Sequence, residues 1–183
     1  MNTDRIPFQV TSAGAAYNFG KLPVQVALVD VRSLYNVGAF FRTCDAAGVD
    51  TLHLCGITGR PPNQQIHKTA LGAEDSVAWR YHAAAIELVR NLRDSGHEIA
   101  AVETSTHAAD LFDWRPRFPV CIVFGNEVEG LDAAISSACD THIRIPMLGL
   151  KHSLNVATAG GVAIYELLRK YRDAVRSPPP TDT

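Results

Sequence analysis

Residues 145–157 read Ile145-Pro-Met-Leu-Gly-Leu-Lys-His-Ser-Leu-Asn-Val-Ala157, and apolar residues at helical spacing continue from there towards the C-terminus. A strand that runs into proline and glycine predicts a rigid loop with exposed backbone amides and carbonyls, so we assign a strand to His142–Ile145. Ser153 is a good N-cap for the apolar helix that follows, which we place at Ser153–Arg172. The stretch is therefore a strand, a loop and a helix in succession.

The same alternation of strands and helices extends back towards the N-terminus. The pattern predicts strands at Val24–Val31, Thr51–Cys55, Ser76–Tyr81, Glu98–Glu103 and Pro119–Phe124. It predicts helices at Asn36–Ala47, Ile66–Leu71, Ala83–Ser95 and Asp132–Ala138. This order is typical of an α/β domain with a mostly parallel sheet flanked by helices. We assign residues 23–174 to that domain, residues 1–22 to a short irregular lead, and residues 175–183 to a disordered tail.

The composition is that of an ordinary globular domain. The chain has 183 residues, of which 46% are hydrophobic and 20% charged. Its apolar stretches, such as Val156–Ile164, are too short or too interrupted to span a bilayer. The first residues also lack the cationic start and apolar run of a secretory signal. We therefore expect a cytoplasmic protein with no membrane partner.

The cysteines indicate a structural role. Cys44, Cys55, Cys121 and Cys139 are widely spaced along the chain and form no Cys-x-x-Cys pair. Most lie in apolar patterns, where free cysteine behaves as a small buried hydrophobe. His53 would share a strand face with Cys55, but no neighbouring residue completes a set of metal ligands. We therefore expect neither a disulfide framework nor a metal site.

The net charge of −2 is unfavourable for binding RNA, because phosphate recognition needs concentrated positive charge. The distribution of the basic residues can override that total. Several of them fall in or near predicted loops and helix starts: Arg32, Arg42, Arg60, Lys68, Arg115, Arg117 and Lys151. A fold that gathers these side chains on one face would present a locally basic surface.

Two earlier segments follow buried strands, as the opening segment does. They read Asn36-Val-Gly-Ala-Phe-Phe-Arg-Thr-Cys44 and Phe124-Gly-Asn-Glu-Val-Glu-Gly-Leu131. Each has a plain structural interpretation, since Asn36 is a good N-cap with Arg42 solvated, and residues 124–131 form a glycine-rich turn. The functional alternative places them at the carboxyl edge of a parallel sheet, where open α/β proteins bind ligands.

Together and in this order, the three segments resemble the signature of the SpoU (TrmH-like) family of SPOUT RNA 2′-O-ribose methyltransferases. The resemblance extends over residues 24–172. It implies a sheet with a C-terminal deep trefoil knot, and a homodimer whose active site is completed across the interface. It also implies S-adenosylmethionine as cofactor and transfer of its methyl group to a ribose 2′-hydroxyl in RNA.

The resemblance also assigns site residues. The catalytic residues that it implies are Arg42, Asn36, Glu127, Ser153 and Asn155. Those for the cofactor are Thr104, Phe124, Gly125, Asn126, Glu127, Gly130, Ile145, Pro146, Met147, Leu148, Leu154, Asn155 and Ala157. RNA contacts are expected from Arg32, Arg42, Lys68 and Lys151, and no metal is required.

Arg42 is the principal catalytic candidate. Arginine stays protonated in proteins and is therefore an awkward general base. We instead assign Arg42 to holding the adjacent phosphate and stabilising the forming alkoxide, with Asn36, Ser153 and Asn155 orienting the arginine and the ribose. Gly125 is expected to let the backbone approach the ligand closely.

Other interpretations stay open at this point. Because minimal forms of the family often act on tRNA, we favour tRNA over ribosomal RNA as the substrate. A catalytically silent RNA-binding protein with the same fold is a further alternative. An ordinary dinucleotide-binding enzyme is disfavoured, since no Gly-x-Gly-x-x-Gly follows the first strand.

Overall fold

Runs rich in valine and leucine form a seven-stranded sheet in the computed structural model, which describes residues 21–176. The strands are β1 Leu22–Val29, β2 Val49–Cys55, β3 Trp79–His82, β4 Glu98–Val102, β5 Ala109–Asp110, β6 Val120–Phe124 and β7 Thr141–Arg144. They lie in the order β3-β2-β1-β6-β4-β7-β5, and neighbouring strands pair in parallel. The predicted, mostly parallel α/β sheet is confirmed.

Helices cover both faces of this sheet. They are α1 Leu34–Ala47, α2 Gln64–Ala70, α3 Ala73–Ser76, α4 Ala85–Asp94, α5 Ala133–Ala138 and α6 Val156–Arg176. Val24, Val26 and Leu28 of β1 pack with α1, α2 and α6, whereas Ala27 and Val29 pack with α4 and α5. No helix within residues 21–176 is both long and apolar enough to cross a membrane.

The ends of the main helices follow local capping signals. Ser33 caps α1 and accepts a hydrogen bond from the amide of Asn36, so the interpretation of Asn36 as the N-cap is wrong. The cap of α6 is also corrected. Asn155 Oδ1 accepts from the amides of Ala157 and Thr158 at 3.0 and 3.3 Å, and the predicted cap Ser153 lies outside the helix.

The predicted lead and tail fall mostly outside the described residues. Leu22, assigned to the lead, begins β1 two residues before the predicted strand start. Helix α6 continues to Arg176, two residues beyond the domain boundary predicted at 174. The rest of the predicted lead and tail, residues 1–20 and 177–183, lies outside the described part of the chain.

The last strand inserts between two earlier ones. β7 pairs with β4 through Ala100 and Thr141, and with β5 through Ala109 and Ile143. The connection at 103–108 joins β4 to β5 and therefore crosses the chain at β7. The short strand β5 was not predicted. The trefoil knot itself stays a prediction.

A buried and a half-buried polar side chain hold the segment that follows β5. Glu98, only 8% exposed, accepts from Trp114 Nε1 at 3.0 Å and from Thr141 Oγ1 at 3.2 Å. Lys170 of α6 donates to the carbonyl oxygens of Leu111 and Trp114. The segment is therefore fixed to β4, β7 and the C-terminal helix.

All four cysteines are free thiols, of which Cys44, Cys55 and Cys121 are buried and Cys139 is half-buried. Burial raises the pKa of the Cys55 and Cys139 thiols to about 12, and it also raises the pKa values of Cys44 and Cys121. Thiols held in the protonated form are poor nucleophiles and poor metal ligands. Among residues 21–176, no group of three or more metal-ligating side chains comes together. The structure therefore gives the cysteines a packing role.

A row of hydrogen-bonded polar side chains crosses β1, β2 and β3. His53 is 3% exposed, and its Nδ1 lies 2.9 Å from Nε2 of His82. Its Nε2 lies 2.6 Å from Oε1 of Gln25, an acceptor, so His53 donates from Nε2 and accepts at Nδ1. Burial lowers the pKa of His53 to about 4, and the charges of His82 and Arg80 act in the same direction. His53 is therefore neutral near pH 7.

Acidification is expected to destabilise the fold through His53. The unfolded state binds the additional proton between pH 6.5 and about 4, so stability present above pH 6.5 is lost as the pH falls through that range. Lowering the pKa from 6.5 to about 4 corresponds to about 3 kcal/mol of unfolding free energy. Urea unfolding at pH 7 and pH 4 measures this loss.

A matched pair of variants isolates the contribution of the buried histidine. We expect His53→Gln to remove most of the loss between pH 7 and pH 4. The same change at the exposed His107 should leave the loss as in the wild type. An identical pH dependence in both variants would exclude His53 as its source.

Candidate functional site

The three segments meet at the carboxyl edge of the sheet. Asn36 Nδ2 donates to Glu127 Oε1 at 3.1 Å, and Asn155 Nδ2 donates to Asn36 Oδ1 at 3.1 Å. Asn36 lies in the first turn of α1, Glu127 in the loop after β6, and Asn155 at the cap of α6. One hydrogen-bonded network therefore joins residues far apart in the sequence.

Glu127 also anchors the start of α1. Its Oε2 accepts from the amide of Arg32 at 3.2 Å, and its Oε1 accepts from the amide of Ser33 at 3.3 Å. Partial burial alone would raise the pKa of Glu127, but hydrogen bonds from backbone amides and from Asn36 outweigh it and lower the pKa. The carboxylate is ionised next to the positive end of the helix dipole, where a negative charge is stabilised.

The loop after β6 is closed by its own polar groups. The amide and carbonyl of Asn126 pair with those of Gly130 at 3.0 and 2.9 Å. The buried side chain of Asn126 accepts from the amides of Val128 and Glu129, and donates to the carbonyl oxygen of Asp30 at 2.9 Å. The loop is therefore a rigid support for Glu127.

Gly125 is required by this same loop. A Cβ at this position would lie 2.3 Å from the carbonyl carbon of Gly130 and 2.6 Å from the nitrogen of Leu131. Backbone atoms cannot move aside as the end of a flexible side chain can. Gly125 therefore permits a close approach within its own loop, and the expected approach of its backbone to the ligand stays a prediction.

The candidate cofactor residues follow the ends of three neighbouring strands. Thr104 lies beyond β4, Gly125 beyond β6 and Ile145 beyond β7, and these strands are adjacent in the order β6-β4-β7. The remaining candidates differ in exposure: Phe124 and Asn126 are buried, Ile145, Pro146, Met147 and Ala157 are half-buried, and Gly130, Leu148 and Leu154 are exposed. They line one edge of the sheet.

The loop at 146–154 has its backbone groups free. In the part of the chain that the structure describes, its amides and carbonyls make no hydrogen bond. Leu148 and Leu150 are 101% and 95% exposed. Ser153, a predicted catalytic residue, is exposed and stands apart from the hydrogen-bonded network. The loop thus offers main-chain donors and acceptors together with uncovered apolar side chains.

Arg42 is not part of the network that contains Asn36. Six residues separate them on α1, which places the two side chains about 120° apart around the helix and about 9 Å apart along it. Arg42 is exposed and has no ion pair among the described residues. The other RNA-contact candidates, Arg32, Lys68 and Lys151, are likewise exposed and free of ion pairs within residues 21–176.

Two residues that support the site were missed in the sequence. Asp30 has a left-handed backbone with φ of 54°, its carbonyl oxygen holds Asn126, and its Oδ1 accepts from the amide of Ile57 at 2.9 Å. Ser33 caps α1. Both carried a signal, since aspartate tolerates the left-handed region and a serine before an apolar helix indicates an N-cap.

The coupling between Glu127 and Asn36 can be measured. Glu127→Ala removes a charged acceptor from three N–H groups, and we expect it to lower the unfolding free energy by about 1–2 kcal/mol. In a double-mutant cycle with Asn36→Ala, we expect a coupling energy of about 1 kcal/mol, obtained from urea unfolding.

A neighbouring carboxylate supplies the control for this cycle. The side chain of Glu129 accepts no hydrogen bond from any described residue. Glu129→Ala and Asn36→Ala should therefore add within about 0.5 kcal/mol. Additivity of the Glu127 pair as well would show that this hydrogen bond contributes nothing to stability.

Comparison with known proteins matches the region of the chain that contains these site residues. The SpoU rRNA Methylase family matches residues 23–165. A Staphylococcus epidermidis protein assigned to the TrmH family of tRNA/rRNA methyltransferases is 33% identical over 136 residues, 74% of this chain and 54% of the relative. The chain spans about half the length of the curated relatives that it matches.

Solved structures resemble the whole sheet and its helices. A TrmH/SpoU tRNA modifying enzyme of A. aeolicus has a TM-score of 0.78 at 25% identity, covering 89% of this chain and 83% of its own. An AdoMet-bound rRNA methyltransferase from Sinorhizobium meliloti has a TM-score of 0.75 at 27% identity, and the match covers 82% of this chain and 60% of that protein. A protein concerned with the 2-OH methylation of C/U34 on tRNA has a TM-score of 0.74 at 27% identity, covering 82% and 97%.

The sequence match and the structural matches agree over the same region. Residues 23–165 include the three segments whose polar side chains meet in the network of Asn36, Glu127 and Asn155. The parallel sheet seen here is that of the SPOUT methyltransferases among its structural neighbours. The chain belongs to the SpoU rRNA methylase family.

Proposed function

We propose that this protein transfers the methyl group of S-adenosylmethionine to a ribose 2′-hydroxyl of RNA, and that the RNA is a tRNA in the cytoplasm. The observation that carries the proposal is the network of Asn36, Glu127 and Asn155, which draws the three family segments into one place.

The residues at the strand ends suit S-adenosylmethionine. The unpaired amides and carbonyls of residues 146–154 can recognise the adenine, and the apolar Met147, Leu148 and Leu154 can cover it. Family membership and the cofactor in the Sinorhizobium meliloti structure support this assignment. The cofactor supplies a sulfonium methyl group, and charge disappears during its transfer, which a site with little water favours.

The polar residues prepare the RNA for that transfer. Arg42 holds the phosphate next to the target ribose and stabilises the forming alkoxide, since its guanidinium has no partner among residues 21–176. Asn36, fixed from both sides by Glu127 and Asn155, positions the ribose. Ser153, exposed in the loop before α6, turns towards the ribose when RNA is bound.

A second copy of the chain completes the site. Leu148, Leu150 and Val128 are 101%, 95% and 85% exposed, which leaves a group of apolar side chains at one edge of the sheet uncovered. Uncovered apolar groups of this kind mark interfaces. A homodimer that covers this edge would also bring an Arg42 side chain close to each network from outside. Sedimentation velocity tests this point.

The preference for tRNA is supported by two structural neighbours, the A. aeolicus tRNA modifying enzyme at a TM-score of 0.78 and the protein concerned with C/U34 methylation of tRNA at a TM-score of 0.74. Ribosomal RNA is the alternative substrate, and a silent RNA-binding protein is the alternative of another class.

A transfer assay with tritiated S-adenosylmethionine separates these possibilities. Unmodified tRNA and ribosomal RNA are offered separately, and the labelled RNA is digested to nucleosides. We expect a 2′-O-methylated nucleoside from the tRNA pool. Label in ribosomal RNA alone would show that ribosomal RNA, and not tRNA, is the substrate. A base-methylated nucleoside would show that the enzyme methylates a base and not the ribose. Binding of RNA without cofactor binding would establish the silent protein.

A further inference from the structure

An arginine and a tyrosine form an exposed stack beside the candidate site. Arg60 Cζ lies 4.1 Å from the centroid of the Tyr81 ring, and Tyr81 is 40% exposed. Within residues 21–176, Arg60 makes no hydrogen bond and no ion pair. One face of the guanidinium therefore packs on the ring, and its other face and its N–H donors are exposed to solvent.

The ring of this stack is held rigidly. Tyr81 lies in β3 opposite Leu54 of β2, and its hydroxyl donates to the carbonyl oxygen of Gly56 at 3.1 Å. Gly56 has a φ of 62° and is packed against Asp30, where a Cβ would lie 2.1 Å from Oδ1. The position of the ring is thus determined by the backbone of two neighbouring strands.

The loop that carries Arg60 is docked on the backbone of the site. The amide of Ile57 donates to Asp30 Oδ1 at 2.9 Å, and the amide of Val31 donates to the buried Thr58 Oγ1 at 3.0 Å. Asp30 in turn holds Asn126 through its carbonyl oxygen. Since β1 and β3 lie two strands apart, the stack is about 10 Å along the sheet edge from the site.

We propose that Arg60 and Tyr81 bind a nucleotide next to the methylated one, and this inference rests on the proposed function. Unpaired RNA bases are recognised by stacking on aromatic rings and on arginine planes. The base stacks on the exposed surface of the pair, and the outward N–H groups of Arg60 bind its phosphate. A planar cation that makes no ion pair among the described residues suits a nucleic-acid phosphate better than an apolar protein surface.

The test measures RNA affinity directly, by fluorescence anisotropy with a labelled pool of unmodified tRNA. We expect Arg60→Ala and Tyr81→Ala each to weaken binding about tenfold, and the double variant to weaken it little further, because the two side chains act as one stack. KM for tRNA should rise by about the same factor, with kcat and the affinity for S-adenosylmethionine unchanged. Tyr81→Phe keeps the ring but loses the hydrogen bond to Gly56, so its loss of affinity should be clearly smaller than that of Tyr81→Ala.

Salt dependence and a distant arginine sharpen the result. If Arg60 binds a phosphate, Arg60→Ala lowers the slope of log affinity against log salt by about one, whereas an unchanged slope would overturn that contact. Arg90 is exposed on α4, on the other face of the sheet, and Arg90→Ala should leave binding unchanged.

Failure of this proposal differs from failure of the proposed function. Wild-type RNA affinity in both alanine variants would overturn the stack as a binding site and leave the reaction standing. Equal losses in Tyr81→Phe and Tyr81→Ala, with a lowered melting temperature, would show a structural role only. A wild-type protein that neither binds nor methylates RNA would overturn both.

Discussion

Arg42→Ala is expected to reduce methyl transfer to tRNA by at least about a hundredfold, the loss that follows removal of one group stabilising a developing negative charge. Thermal stability and affinity for S-adenosylmethionine should stay at wild-type values. The side chain is exposed and has no ion pair among the described residues, and alanine is a good helix former. Steady-state transfer kinetics, calorimetric titration with the cofactor and a thermal melt measure the three quantities.

A graded series defines what the arginine contributes. Arg42→Lys keeps the positive charge and loses the planar fork, so we expect activity between that of the wild type and the alanine variant. Arg90→Ala, an exposed helix arginine on α4, should be fully active. Turnover within a few-fold of the wild type in Arg42→Ala would remove Arg42 from the reaction, and a matching fall in cofactor affinity would move it to the cofactor site.

Gly125→Val is expected to abolish cofactor binding and to lower the unfolding free energy by about 3 kcal/mol. Its Cβ would fall within 2.3–2.6 Å of the backbone of Gly130 and Leu131, so the loop could not close. Opening the loop would also leave the buried side chain of Asn126 without its partners and displace Glu127 from α1. Calorimetric titration and urea unfolding measure both effects.

Two further glycine variants test this explanation. Gly125→Ala adds the same Cβ and should already show most of the loss. Gly161 of α6 has open space where a Cβ would lie, so Gly161→Val should bind the cofactor and unfold as the wild type does. Normal cofactor affinity in Gly125→Ala would show that the closed loop is not needed for binding.

The parts of the fold that depend on neighbouring residues could be predicted from the sequence. Gly48 ends α1 in the left-handed conformation, and Asp132 caps α5 by accepting from the amide of Ile135 at 2.8 Å. Both are local capping signals, and they explain why the predicted helix ranges Asn36–Ala47 and Asp132–Ala138 end and begin close to the observed bounds of α1 and α5. The site segments were identified through their resemblance to the SpoU family signature, because their local patterns alone were also compatible with capping and turn roles.

What could not be predicted depends on contacts between distant residues. Ser153 and Asn155 are both capping types, and the side chain that caps α6 also bonds Asn36, 119 residues away. Strand β5 has two residues and exists through pairing with β7. The separation of Arg42 from Asn36 could have been predicted from their six-residue spacing on one helix, because a helix turns by about 100° per residue.

The position of β7 has a consequence for how the protein is made. Residues 141–144 pair with β4, so the edge of β4 that faces β7 stays open until these residues have been synthesised. Open strand edges are templates for pairing with other chains, and contacts that span the sequence form slowly. A nascent chain that stalls before Thr141 therefore exposes this edge of β4, and we expect such a chain to be prone to pairing with other chains.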